Sequence, residues 1–159
     1  RRRQGRTLHL TDIEVEAPAW SEALPDAEAL VLAAADATLA SEGAVGEGVT
    51  LLLTDDATIR DLNRRFRAQD KPTNVLSFPA PQNPERFLGD IALAYGVCAR
   101  EAEEQGKPLG HHLQHLVAHG VLHLLGYDHL SDAQADEMEG LERAVLAGLG
   151  IPDPYLAGK

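Results

Sequence analysis

With 159 residues, 44% of them apolar, the chain is long enough to bury a core without disulfide support, and one domain over residues 1–159 is expected. The single cysteine, Cys98, excludes an internal disulfide and suits a reducing compartment, so a cytoplasmic protein is expected. The formal charge of -11 argues against nucleic-acid binding in general, since phosphate binding normally needs a basic surface, and no apolar run approaches the roughly 18 residues of a membrane span.

The segment Thr7 to Glu16 alternates partly and predicts an opening strand, with Leu8, Leu10 and Ile13 on its buried face. Pro25 and Asp26 start an alanine- and leucine-rich helix that runs to about Ala40 and breaks at Gly43 to Gly48. Val49 to Leu53 make a short apolar strand, and Thr54 is placed to cap a helix over Asp55 to Arg67. Val75 to Phe78 and Leu88 to Tyr95 predict two more strands, joined by a Pro-, Gln- and Asn-rich loop, for a sheet of four. A helix from Gly96 to Gln105 precedes Leu109 to Leu125, expected to be the most buried helix. The chain opens on Arg1 rather than Met, which leaves upstream residues open.

Charge is segregated. Residues 60 to 71 carry Arg60, Arg64, Arg65, Arg67 and Lys71 against Asp61 and Asp70, whereas residues 132 to 142 carry Asp132, Asp136, Glu137, Glu139 and Glu142 with no base. Both runs are expected to be solvated helix faces.

His119 and His123 stand four residues apart, which on a helix places them on adjacent turns of one face, with Cβ atoms about 5 to 6 Å apart. A left-handed Gly126 can end that helix and return His129 to the same ion. Three imidazoles leave one zinc position open, as in catalytic rather than structural sites. His111 and His115 continue the four-residue spacing, so other pairs are possible, but the C-terminal pair lies within one turn of the returning glycine. His9, His111, His112 and His115 are expected to be ordinary, partly buried side chains, and Cys98 a core residue.

The spacing His-x3-His-x5-His equals that of the extended zinc-protease motif, but Gly120 stands where such proteases carry their general-base glutamate. Peptide hydrolysis by that route is disfavoured. Three neutral ligands leave the ion its full charge, which favours an anionic substrate such as a phosphodiester. Arg67 is the candidate to stabilise negative charge, with a surface role as its alternative. Asp128, next to His129, is a candidate to hydrogen-bond an imidazole from behind or, ranking lower, to accept a proton, with a turn role after Gly126 as the alternative. Asp90 and Ser77 are candidate groove residues, and Thr73 and Asn74 close the preceding loop.

The run HGVLHLLGYDH, His119 to His129, resembles the signature of the YbeY family of rRNA maturation factors. LNRRFRAQDKPTNVLSFP, from Leu62 to Pro79, and LGDIAL, from Leu88 to Leu93, resemble two further blocks of that family. The resemblance spans about Thr7 to Leu146 and implies an α+β fold, with a small mixed four-stranded sheet, about five helices and a metal site at the end of the central helix. It implies a zinc-dependent, single-strand-specific endoribonuclease in 16S rRNA 3′-end maturation and ribosome quality control. It also implies one Zn2+ per chain on His119, His123 and His129, with Arg67 functional. The expected partners are the 16S rRNA precursor and the small ribosomal subunit or its proteins, with no membrane or DNA partner. A ribosome-assembly factor with a structural metal is the alternative, and a metalloprotease-like hydrolase ranks last.

Overall fold

The computed structural model describes residues 11–155. Strand β1 (Thr11–Val15) is followed by two helices, α1 (Pro18–Ala23) and α2 (Ala27–Ser41), then by β2 (Gly48–Thr54) and α3 (Asp56–Arg67). Strands β3 (Val75–Pro79) and β4 (Phe87–Ala94) form a hairpin, and α4 (Tyr95–Gln105), α5 (Leu109–Leu124) and α6 (Asp132–Gly148) complete the order. The sheet runs β1-β2-β4-β3, with β1, β2 and β4 parallel and β3 antiparallel to β4 at the edge. This is the mixed α+β architecture expected. Its sixth helix, α1, lies between the expected first strand and the helix starting at Pro25, where no element was expected.

The two parallel central strands are apolar almost throughout because both faces are covered. Val49, Leu51, Leu53, Ile91 and Leu93 face the larger core, against Val31, Ala34 and Ala35 of α2 and Leu113, Val117 and Val121 of α5. The alternate positions Ala92 and Ala94 face α3, where Ile59 is fully buried. Helix α5 thus lies along the sheet, and Gly120 sets how closely. A Cβ there would stand 3.0 Å from Ile91 Cδ1 and 3.2 Å from its Cγ2. The position that would hold a protease's glutamate is therefore the contact between helix and sheet.

Several expectations need correction. Thr54 is a fully buried strand residue whose hydroxyl donates to Glu16, while Asp55 caps α3 by accepting from the Thr58 amide at 2.8 Å. Asp outperforms Thr here because the strand keeps Thr54 turned inward. Helix α1 starts with Pro18 in its first turn, where the missing N–H costs nothing, and holds Trp20, whose indole donates to the Thr54 carbonyl at 2.9 Å. Ile13 packs on the larger core as expected; Leu8, His9 and Leu10 lie outside the described residues. Among the described residues no helix is long and apolar enough to cross a membrane.

Candidate metal centre

Helix α5 carries His119 and His123 on its last turns. Leu125 closes the helix, Gly126 follows at φ +107°, and the Tyr127 amide bonds back to the Leu122 carbonyl at 3.1 Å. The positive φ is what the turn requires of a glycine. Tyr127 then anchors the turn to the end of α2 by donating its hydroxyl to Glu42 at 2.6 Å. The chain reverses, and His129 comes back over the helix end.

The three imidazoles form a nearly equilateral group. Ring centroids are 5.3 Å apart for His119–His123, 5.5 Å for His119–His129 and 5.3 Å for His123–His129. One ring nitrogen from each lies within 4.8 Å of the others, so small side-chain rotations reach the roughly 3.3 Å donor separation of tetrahedral zinc. Burial and the neighbouring His119 lower the pKa of His123, which favours the neutral, metal-ligating form. An all-imidazole donor set suits a borderline divalent ion such as zinc.

The rings open on a cleft of about 440 Å³ lined also by Arg67, Asn74, Val75, Ser77 and Pro79. A slightly larger depression on the outside of α3 is lined by Arg60, Asp61, Arg64 and Asp70. Its charges pair with one another, Arg60 with Asp70 and Arg64 with Asp61, and it lacks convergent ligands. Arg67 reaches the histidine cleft because α3 stops at a left-handed Ala68, and the buried Asn63 ties the following turn by donating to the Lys71 carbonyl at 2.9 Å. Its guanidinium donates to the Ser77 carbonyl at 2.8 Å. Asn74, read as a loop end, lines the cleft and donates to Glu101 at 3.0 Å.

Several readings change or narrow. Asp90 points away from the cleft, because the next residue, Ile91, is the one that meets α5. Asp128 accepts from the amide of His129 at 2.8 Å, and its oxygen lies 3.8 Å from His129 Nδ1, beyond hydrogen-bond distance. The imidazole acceptor is instead Glu142, read from the sequence as part of a solvated acidic face. It is fully buried. One carboxylate oxygen accepts from His119 Nδ1 at 2.7 Å, and the other from His115 Nε2 at 2.8 Å and the Tyr155 hydroxyl. Burial pushes this carboxyl upward, but the three donors outweigh it and hold its pKa at about 2. A carboxylate on Nδ1 fixes the proton there and leaves Nε2 of His119 unprotonated, free to serve as a donor to a metal. The clue was helical: Met138, Glu142, Val145 and Leu146 form one buried stripe of α6. His115, expected to be an ordinary buried side chain, is thus a partner of this glutamate, and His112 similarly pairs with Glu101 at 2.8 Å.

A mixed α+β layer holding three convergent imidazoles and an arginine in an open cleft defines a metallohydrolase-like class. Comparison with known proteins narrows it. The family model for Endoribonuclease YbeY matches residues 13–150, and the chain belongs to that family of RNA-cutting hydrolases. Endoribonuclease YbeY of Rhodopseudomonas palustris is 54% identical, over 91% of this chain and 80% of that protein. The protein of the same name from Paramagnetospirillum magneticum is 49% identical, over 90% and 93%. The solution structure of TM1509 from Thermotoga maritima superposes with a TM-score of 0.56 at 25% identity, covering 89% of this chain and 92% of that one.

Proposed function

We propose that this chain is a zinc-dependent endoribonuclease that cuts single-stranded RNA, with His119, His123 and His129 as the ligands of one ion and Arg67 as the phosphate-facing cation. The observation that carries the reading is the convergence of three neutral donors and an arginine on one open cleft. Zinc bound there supplies a Lewis acid and an activated water near neutral pH. The chain's own groups do the rest. Glu142 holds the tautomer and orientation of His119 from behind. Arg67, steadied by the Ser77 carbonyl, keeps further N–H donors for a phosphoryl oxygen whose negative charge grows during displacement. His129, half-exposed, leaves the outer side of the cleft accessible to a polymer.

Within this proposal the substrate is the 16S rRNA precursor, cut during 3′-end maturation and ribosome quality control in the cytoplasm, on or near the small subunit. That assignment is supported by family membership. The peptidase reading is weakened by Gly120, which is packed on Ile91. The net charge of -11 favours a second reading, an assembly factor that docks on basic ribosomal proteins and uses its metal structurally.

Metal analysis run beside matched RNA and peptide cleavage assays separates these readings. Wild type is expected to hold about one zinc per chain and to cut single-stranded RNA but not peptide, while His123→Ala loses both metal and cleavage. Undiminished RNA cleavage by folded, metal-free His123→Ala would remove the histidines from the mechanism. Ribosomal-protein binding without nuclease activity would favour the assembly factor.

A further inference from the structure

Phe66 is 62% exposed on the last turn of α3, next in sequence to Arg67, which lines the histidine cleft. It continues the apolar stripe of Ile59 and Leu62, but its ring lies outside the smaller core that those residues join and stands edge-on to Phe78 of β3, the edge strand, at 5.6 Å between centroids. The Arg65 guanidinium stands 5.5 Å from the Phe66 centroid, and that of Arg67 5.6 Å from the Phe78 centroid. Arg67 itself lines the cleft. Phe78 shares the α3 face of the sheet with its cross-strand partner Asp90. The two rings, each with a guanidinium over it, thus lie outside the cleft and are linked to it by Arg67, which stands over Phe78 and lines the cleft, on a chain whose net charge is otherwise strongly negative.

We propose that Phe66, backed by Phe78 and rimmed by Arg65 and Arg67, is a stacking platform for one unpaired base of the RNA strand entering the histidine cleft. The proposal rests on the endoribonuclease reading and adds to it how a single strand is chosen. An exposed aromatic face accepts any nucleobase, and adjacent arginines follow the phosphates on either side. In a duplex both faces of a base are already stacked on neighbours, so the platform rewards only an unpaired strand. A protein or lipid partner is less well matched, because the apolar surface is a single ring flanked by cations rather than a broad patch.

The test uses the full, zinc-loaded chain and single-stranded RNA bearing 2-aminopurine, with Phe66→Leu, Phe66→Ala and Phe66→Tyr. Leucine keeps apolar cover but has no π-face, and tyrosine keeps the ring. The expected result is a KM for single-stranded RNA raised roughly tenfold in Phe66→Leu and Phe66→Ala, as for the loss of one base–aromatic stack, and close to wild type in Phe66→Tyr. Zinc content and thermal midpoint should hold in all three, and binding should quench 2-aminopurine with Phe or Tyr but not Leu. Equal KM and equal quenching in wild type and Phe66→Leu would overturn the platform while leaving the nuclease reading intact. A wild type that holds zinc and cuts no RNA overturns that reading, and the platform with it.

Discussion

The front and back of the histidine cleft hold their groups by different means. At the front, Arg67 is exposed on the last turn of α3, next to the exposed Phe66, and is steadied by a backbone carbonyl of the edge strand. At the back, Glu142 is fully buried in α6 and satisfied by three side chains, one of them a candidate metal ligand. The front can meet a large, flexible substrate and adjust to it. The back sets an imidazole before any substrate arrives, in a low-dielectric setting where each hydrogen bond is strong. On the proposed function, substrate handling and metal holding would occupy separate layers, so substitutions should separate them.

The largest effect is expected at the front. Arg67→Ala should lower kcat for RNA by about 10²-fold or more, the usual result of removing a donor to developing negative charge, with zinc affinity unchanged in a chelator competition. Equal loss of zinc would place Arg67 in the metal layer. At the back, Glu142→Gln should weaken zinc binding by about 10- to 100-fold, as for other acceptors of ligand imidazoles. If its zinc affinity matched wild type, Glu142 would be only a core residue.

Gly120→Ala probes the wall between the layers. The alanine gains about 1 kcal/mol of helix propensity and loses about 1–3 kcal/mol to overpacking on Ile91. A net destabilisation near 1 kcal/mol is expected by denaturant melts, with relief in an Ile91→Val background. A more stable Gly120→Ala would show that α5 has room to spare.

The smallest effect concerns His112. Burial holds its pKa below the ordinary 6.5, against the opposing pull of Glu101. The unfolded chain therefore takes up a proton that the folded chain refuses. Its share of stability is full above about pH 6.5 and declines as pH falls through and below that value. Thermal melts of metal-free protein over this range should show a shallower decline for His112→Gln than for wild type.

These layers were unequally legible in the sequence. The histidine trio was readable because its geometry is local: a helical four-residue spacing, a glycine stop and a short return loop sit within His119 to His129. Arg67 could be nominated but not placed, since its approach depends on the left-handed Ala68, the Asn63 tether and a carbonyl ten residues away. Glu142 was missed because charge runs normally face water, and only packing of α6 on α5 shows that this carboxylate meets a histidine 23 residues distant. Asp128, adjacent to the candidate ligand His129, drew attention by proximity in sequence, yet its side chain satisfies the neighbouring backbone instead. Helix α1 is six residues long and too short to show a period.

The central claim is that His119, His123 and His129 together hold one ion. Zinc-edge X-ray absorption on the loaded wild-type protein tests it most directly. Three imidazole nitrogens are expected at about 2.0–2.1 Å with the remaining ligand a light atom, and one imidazole fewer in a residually loaded His129→Ala variant. A sulfur shell near 2.3 Å, or a wild-type spectrum unchanged by His129→Ala, would contradict it.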